Sequence, residues 1–150
     1  MKKITITFAA ATVAILLLVT GCDKYHRDKY TGTWDFVTER KFYNYNDTVG
    51  FVYEKSEMLY YSGKISLGND ESELFIRYTE NDEISGWLRQ DGNSIYTLSQ
   101  TSFYGKDPSG YFDGKNNVYI RFNQNVMDNS EMNIIGGIDD HITGTKKGRR

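Results

Sequence analysis

Ile84-Ser85-Gly86-Trp87-Leu88-Arg89-Gln90-Asp91-Gly92-Asn93-Ser94-Ile95-Tyr96-Thr97-Leu98-Ser99 decides the fold. Asp-Gly between two short apolar-bearing runs is a strong local signal for a β-hairpin, because glycine reaches the positive φ that tight antiparallel reversals need. The same grammar recurs on both sides. Upstream, Met58 to Leu67 reads as a strand, Gly68-Asn69-Asp70 as a reversal, and Ser72 to Tyr78 as the returning strand. Downstream, Gly110 to Phe112 and Val118 to Phe122 flank the turn Asp113-Gly114-Lys115-Asn116. The N-terminal side of the pattern is Thr33 to Tyr43, where Trp34, Phe36, Thr38, Arg40 and Phe42 share one face of an alternating run whose apolar end should meet a core. Met132 to Ile135 and His141 to Lys146 close the series, separated by Gly136-Gly137 and an acidic turn.

Composition agrees with this periodicity. Twelve Tyr, eight Phe and two Trp against a single Pro favour pleated sheets, and no segment after the first 21 residues sustains a helical apolar period. The expectation is an all-β domain: an antiparallel meander of eight or nine strands, closed as a barrel or folded as a two-sheet sandwich.

The N-terminus carries a different message. Met1-Lys2-Lys3 and an apolar run from Ile4 to Val19 lead to Val19-Thr20-Gly21-Cys22. The run is shorter than the roughly 18 to 20 apolar residues of a permanent span and ends at small residues suited to processing. The final four residues resemble the lipobox of bacterial lipoproteins. That resemblance implies cleavage between Gly21 and Cys22 and attachment of a diacylglycerol, and further acyl chains such as palmitate, at the Cys22 thiol. Two or more chains anchor stably, each buried methylene contributing about 0.8 kcal/mol. Cys22 is the chain's single cysteine, so the exported domain has no internal disulfide and no thiol chemistry. The expected organisation is a signal helix over residues 1–21, a lipidated Cys and solvated tether over 22–30, and one β domain over 31–150. The localisation it implies is the bacterial cell envelope, with the outer membrane favoured and the leaflet left open.

A second resemblance starts at Gly32-Thr33-Trp34, which is similar to the Gly-x-Trp motif that opens the first strand of lipocalins. The layout from Tyr30 to Lys147 follows that family's barrel. The likeness implies that Trp34 packs over the barrel floor against a basic side chain from the last strand, and alternation within Ile142-Thr143-Gly144-Thr145-Lys146-Lys147 selects Lys146. The chain is shorter than a full lipocalin and shows no helix after the barrel.

Chemistry-bearing motifs are sparse. Only His26 and His141 are present, with no shared ligand spacing, so no metal site is expected. No nucleophile elbow, phosphate-binding loop or zinc-protease helix occurs, so no catalytic residue and no cofactor is assigned. Glu71 with Glu73, Glu80 with Asp82 and Glu83, and Asp139 with Asp140 sit at turn signals and read as solvated acids. Asn46-Asp47-Thr48-Val49 places Thr48 in a form that resembles an O-glycosylation site of some bacterial envelope proteins. Eighteen basic against 20 acidic residues give a net charge of −2, and loss of Lys2 and Lys3 makes the mature chain more acidic, which argues against nucleic acid. Two functions remain: a non-enzymatic binding lipoprotein holding a small apolar or glycan ligand, or an interaction protein acting on an envelope partner. Tyr43, Tyr45, Tyr53, Tyr60, Tyr104 and Tyr111 are candidates for recognition in the first, and Asp23 to Lys29 or Thr101 to Ser109 as inserting elements in the second.

Overall fold

The computed structural model describes residues 25–97, 109–128 and 133–148. Eight strands follow one another: β1 (Gly32–Asn46), β2 (Gly50–Leu67), β3 (Glu73–Arg77), β4 (Glu83–Leu88), β5 (Ser94–Thr97), β6 (Ser109–Asp113), β7 (Asn117–Met127) and β8 (Ile134–Lys146). Each pairs antiparallel with the next, and β1 also pairs with β8, so the meander closes into a barrel. The sandwich alternative is therefore set aside. Signal helix, Gly21 and Cys22 lie outside the described residues.

The ring is uneven. β3 to β6 are four to six residues long, whereas β1, β2, β7 and β8 run from 11 to 18. These four long strands are neighbours in the order β7-β8-β1-β2. At about 3.3 Å per residue, Arg40 to Asn46 carries β1 roughly 20 Å past the level of the short wall. A small barrel thus extends on one side into a projecting four-stranded sheet.

The floor is built by local and non-local clamps. Residues Arg27–Tyr30 form a single 3-10 turn. Tyr30, fully buried, stacks on Phe112, and its hydroxyl donates to the Gly92 carbonyl at 2.6 Å and lies 2.8 Å from the Asn93 side-chain amide. Arg27 donates to the Glu73 carbonyl at 3.0 Å and also to the Asp70 carbonyl. The segment expected to be a solvated tether is in this part a plug tied to the turns beneath the barrel. Trp34 sits directly above it, fully buried, with Nε1 donating to the Tyr30 carbonyl at 2.9 Å. Lys146 stands opposite Trp34 across β1 and β8, and its ammonium donates to the Lys29 carbonyl at 2.7 Å.

Above the floor the interior is filled with Phe36, Ile65, Leu74, Ile76, Ile84, Leu88, Ile95, Phe112, Val118, Ile120 and Ile142, none more than 6% exposed. Glycine permits a close approach at Gly144, where a Cβ would stand 2.7 Å from both the Phe36 ring and Val118 Cγ1. Gly136 likewise brings β8 against β1, since a Cβ there would meet the Tyr43 carbonyl oxygen at 2.5 Å. The pair read from sequence as a flexible break lies near the start of a continuous strand.

Candidate functional site

Inward alternation along β1 carries the core face from Trp34 through Phe36 and Thr38 to Arg40. Arg40 faces Asp140 across the β1–β8 pair. The geometry is a two-pronged ion pair: Nε donates to Oδ1 at 2.8 Å and Nη2 to Oδ2 at 2.7 Å. Nη2 also reaches Asp82 Oδ2 at 2.7 Å, and Tyr78 donates its hydroxyl to Asp140 Oδ2 at 2.7 Å. The β3–β4 turn aims Asp82, because Thr79 donates its hydroxyl to Asp82 Oδ2 (2.6 Å) and receives the Asp82 amide proton (2.9 Å). Mid-strand residues of β1 and β8 and the β3–β4 turn thus converge on one charged layer that roofs the apolar interior.

This layer is electrostatically closed. Hydrogen bonding to Asp140 holds the Arg40 guanidinium strongly protonated, outweighing its partial burial. Burial, then the Asp140 charge, pushes the Tyr78 phenol well above its usual range. Burial opposes ionisation of Asp82, but the Thr79 hydroxyl and Arg40 together hold its carboxyl below the usual range. Arg40 Nε and Nη2 and the Tyr78 hydroxyl each meet a carboxylate, so the layer fits a structural role better than proton transfer. Thr38, buried one step below, makes no side-chain hydrogen bond among the described residues.

Asp139 faces the other way and is also buried, at 1% exposure. Arg121 grips both its oxygens (2.9 and 2.6 Å), and His141 Nε2 lies 3.3 Å from Oδ2. The two acids expected to form a solvated turn are therefore each buried against an arginine on opposite faces of β8. Arg121 and His141 border an open groove of about 420 Å³ with Tyr111, Tyr119 and Thr143. A His–Asp pair can serve as a general base, but Arg121 already occupies the carboxylate, and no hydroxyl donates to His141 among the described residues.

The remaining site is apolar. At the end of the projecting sheet Tyr45, Val49, Val52, Tyr53, Val126, Met127 and Ile135 are between 37% and 68% exposed. Tyr43 meets Tyr53, and Tyr45 meets Phe51, as edge-to-face pairs that stiffen this end. Beside these residues a mainly polar groove of about 730 Å³ lies among Tyr45, Asn46, Asp47, Asn133, Ile134 and Ile135. Thr48 is exposed in the neighbouring turn, where its amide and that of Val49 donate to Asn46 Oδ1. Tyr104 and most of the Thr101 to Ser109 loop fall outside the described residues, and Tyr60 lies along β2 at 75% exposure. Tyr45 and Tyr53 are candidates from the sequence, but only the β1–β8 and β7–β8 pairings bring Ile135, Val126 and Met127 to the same end of the sheet, where Tyr45 and Tyr53 stand on one face and Val52 and Val126 on the other.

Among the described residues no group of three or more His, Cys, Asp or Glu side chains could hold a metal ion, and no helix is long and apolar enough to cross a membrane. Compared with family models, curated proteins and solved structures, the chain matches none. Fold and site together define a closed eight-stranded antiparallel meander with a filled interior and an apolar projecting sheet.

Proposed function

We propose that this protein is a lipid-anchored, non-catalytic binding protein of the bacterial envelope, related in layout to lipocalins, that works through its exterior on a protein partner. The observation that carries the reading is the contrast between inside and outside. Apolar side chains occupy the barrel up to the Arg40–Asp140 layer, where a small ligand would need space, while seven large apolar residues stand out from the projecting sheet. They stand on both faces of the sheet, Tyr45 and Tyr53 on one and Val52 and Val126 on the other, and exposed apolar clusters mark recognition surfaces. Tyr25, three residues after Cys22, lies beside the floor-side turn at Arg89 to Asp91 and the apolar end lies opposite, which suits a module that reaches outward from a bilayer.

The test is quantitative capture with the lipidated protein, comparing wild type with Tyr53→Ser combined with Val126→Ser. Tyr53→Ser gives up its edge-to-face pair with Tyr43, so the double variant should lose about 1 to 2 kcal/mol of folding stability, and its circular dichroism must stay that of the wild type for the comparison to hold. A stoichiometric partner retained by wild type and lost by the double variant supports the reading. An organic extract of the wild-type protein that yields one equimolar small molecule would overturn it in favour of a ligand carrier.

A further inference from the structure

The short wall wears its aromatic residues on the outside. Phe75 on β3, Trp87 on β4, Tyr96 on β5, Tyr111 on β6 and Tyr119 on β7 occupy the face opposite the buried Leu74, Ile76, Leu88, Ile95, Phe112, Val118 and Ile120. Five consecutive strands each present one ring. Register joins them into a belt: Trp87 stands opposite Tyr96, and Tyr111 opposite Tyr119, with ring centroids 5.7 and 5.1 Å apart. All five lie within about three residues of the floor-side turns. The row of Tyr111 and Tyr119 continues through Thr143 to Val37 and Tyr60, and nearer the floor β8, β1 and β2 show Thr145, Asp35, Ser62, Thr33 and Lys64, which are polar. The floor end of the barrel therefore has one aromatic side and one polar side.

Tyr25 emerges on the aromatic side. It shares a groove with Leu88, Arg89, Gln90, Asp91 and Tyr96 and packs against the core. Only three residue steps separate it from Cys22, and at about 3.6 Å each they span roughly 11 Å when fully extended. The clamps made by Arg27 and Tyr30 prevent the following residues from lengthening that tether. An acyl chain on Cys22 consequently holds the belt against the headgroups, the region in which Trp and Tyr rings with one apolar and one polar side are favoured.

We infer that the aromatic belt at the floor end of β3 to β7 rests on the bilayer interface, so that the barrel meets the membrane by the aromatic side of its floor and the projecting sheet, at the other end, points away. The occupant is a lipid surface of no particular charge: the turns at this end hold Arg89 and Lys115 beside Asp91 and Asp113, so the rings rather than ion pairs supply the contact. The inference rests on lipid attachment at Cys22.

The experiment supplies that attachment chemically, so that the two claims fail separately. Residues 22–150 are coupled through the single thiol to a maleimide lipid in phosphatidylcholine vesicles, with and without bromine on the acyl chains. Trp34 is fully buried, so aqueous acrylamide reads Trp87. On vesicles the Trp87 emission should shift to the blue, be quenched by brominated lipid and be shielded from acrylamide, and Trp87→Phe should remove all three changes. Substituting Tyr111→Ser and Tyr119→Ser should weaken the quenching by brominated lipid while the circular dichroism stays that of the wild type. Trp87 that remains as accessible to acrylamide on the vesicle as in solution overturns the inference, and assigns the wall to a protein partner or to water. An unmodified Cys22 in protein from cells would refute the anchor instead.

Discussion

Replacing Arg40 by Met removes the cation from a layer in which Asp140 is 1% exposed. Asp140 would keep only the Tyr78 hydroxyl, and Asp82, at 29% exposure, would turn to water and Thr79. Breaking a buried pair by deleting one partner costs about 3 to 5 kcal/mol, since the remaining charge stays desolvated. Because Asp82 can recover hydration, the lower end applies, about 3 kcal/mol. A domain of this size has a total stability of roughly 5 to 15 kcal/mol, so the variant should melt about 10 °C lower and unfold at clearly lower urea. Replacing the layer as a unit, Arg40→Met with Asp140→Leu and Tyr78→Phe, leaves no buried charge or orphaned phenol and should restore most of the loss. pH supplies a second arm. The folded Asp82 carboxyl lies below its usual range, so its contribution is complete above about pH 4, the unfolded value, and is lost as pH falls through the lower folded one. The gap between wild type and Arg40→Met should therefore narrow below about pH 4. Urea titration followed by Trp34 emission is the assay. A loss under about 1 kcal/mol for the single variant, or simple addition in the triple variant, would refute the reasoning.

Other perturbations test other parts. Thr38→Val exchanges a buried hydroxyl without a side-chain partner for a methyl of the same shape and should leave stability equal or raise it by up to about 1 kcal/mol; a comparable loss in urea titration would contradict the stated burial. Gly144→Ala pushes a methyl into the Phe36 ring and Val118 and should cost about 1 to 3 kcal/mol by the same assay. Tyr30→Phe keeps the ring stacked on Phe112 but loses the hydroxyl's bonds to Gly92 and Asn93, for about 1 to 2 kcal/mol, and the loss should be absent if the floor plug is not clamped. The Asp91 carboxyl, held by the Ser94 hydroxyl and the amides of Ser94 and Asn93, should titrate at about 2 in a carbon-detected NMR series; a midpoint near 4 would contradict that turn.

How much of this can be read along the chain depends on whether the cause is local. Asp91-Gly92 and Asp113-Gly114 announce their hairpins because the positive φ of Gly92 and Gly114 is a local demand. Trp34, Phe36 and Thr38 announce their face because one side of β1 meets the core and the other meets water. The pattern fails where both sides are wet. Gly50 to Glu57 belongs to β2, yet its sequence does not alternate, since this part of the strand projects beyond the barrel and buries neither face. Ile134 to Lys146 is one strand although Gly136-Gly137 reads as a break; those glycines answer to the Tyr43 backbone, far away in sequence. Asp139 and Asp140 read as solvated because nothing nearby neutralises them, and the partners arrive from 18 and 100 residues away. The outer aromatic belt was equally hidden, because register alone sets Trp87 beside Tyr96 and Tyr111 beside Tyr119.

Everything proposed about orientation and reach depends on the anchor, and the intact mass of the protein purified from bacterial envelopes in detergent tests it directly. The account predicts a chain of residues 22–150 carrying a diacylglycerol and any further acyl group on Cys22. A chain that retains residues 1–21, begins elsewhere, or bears a free Cys22 thiol would contradict it.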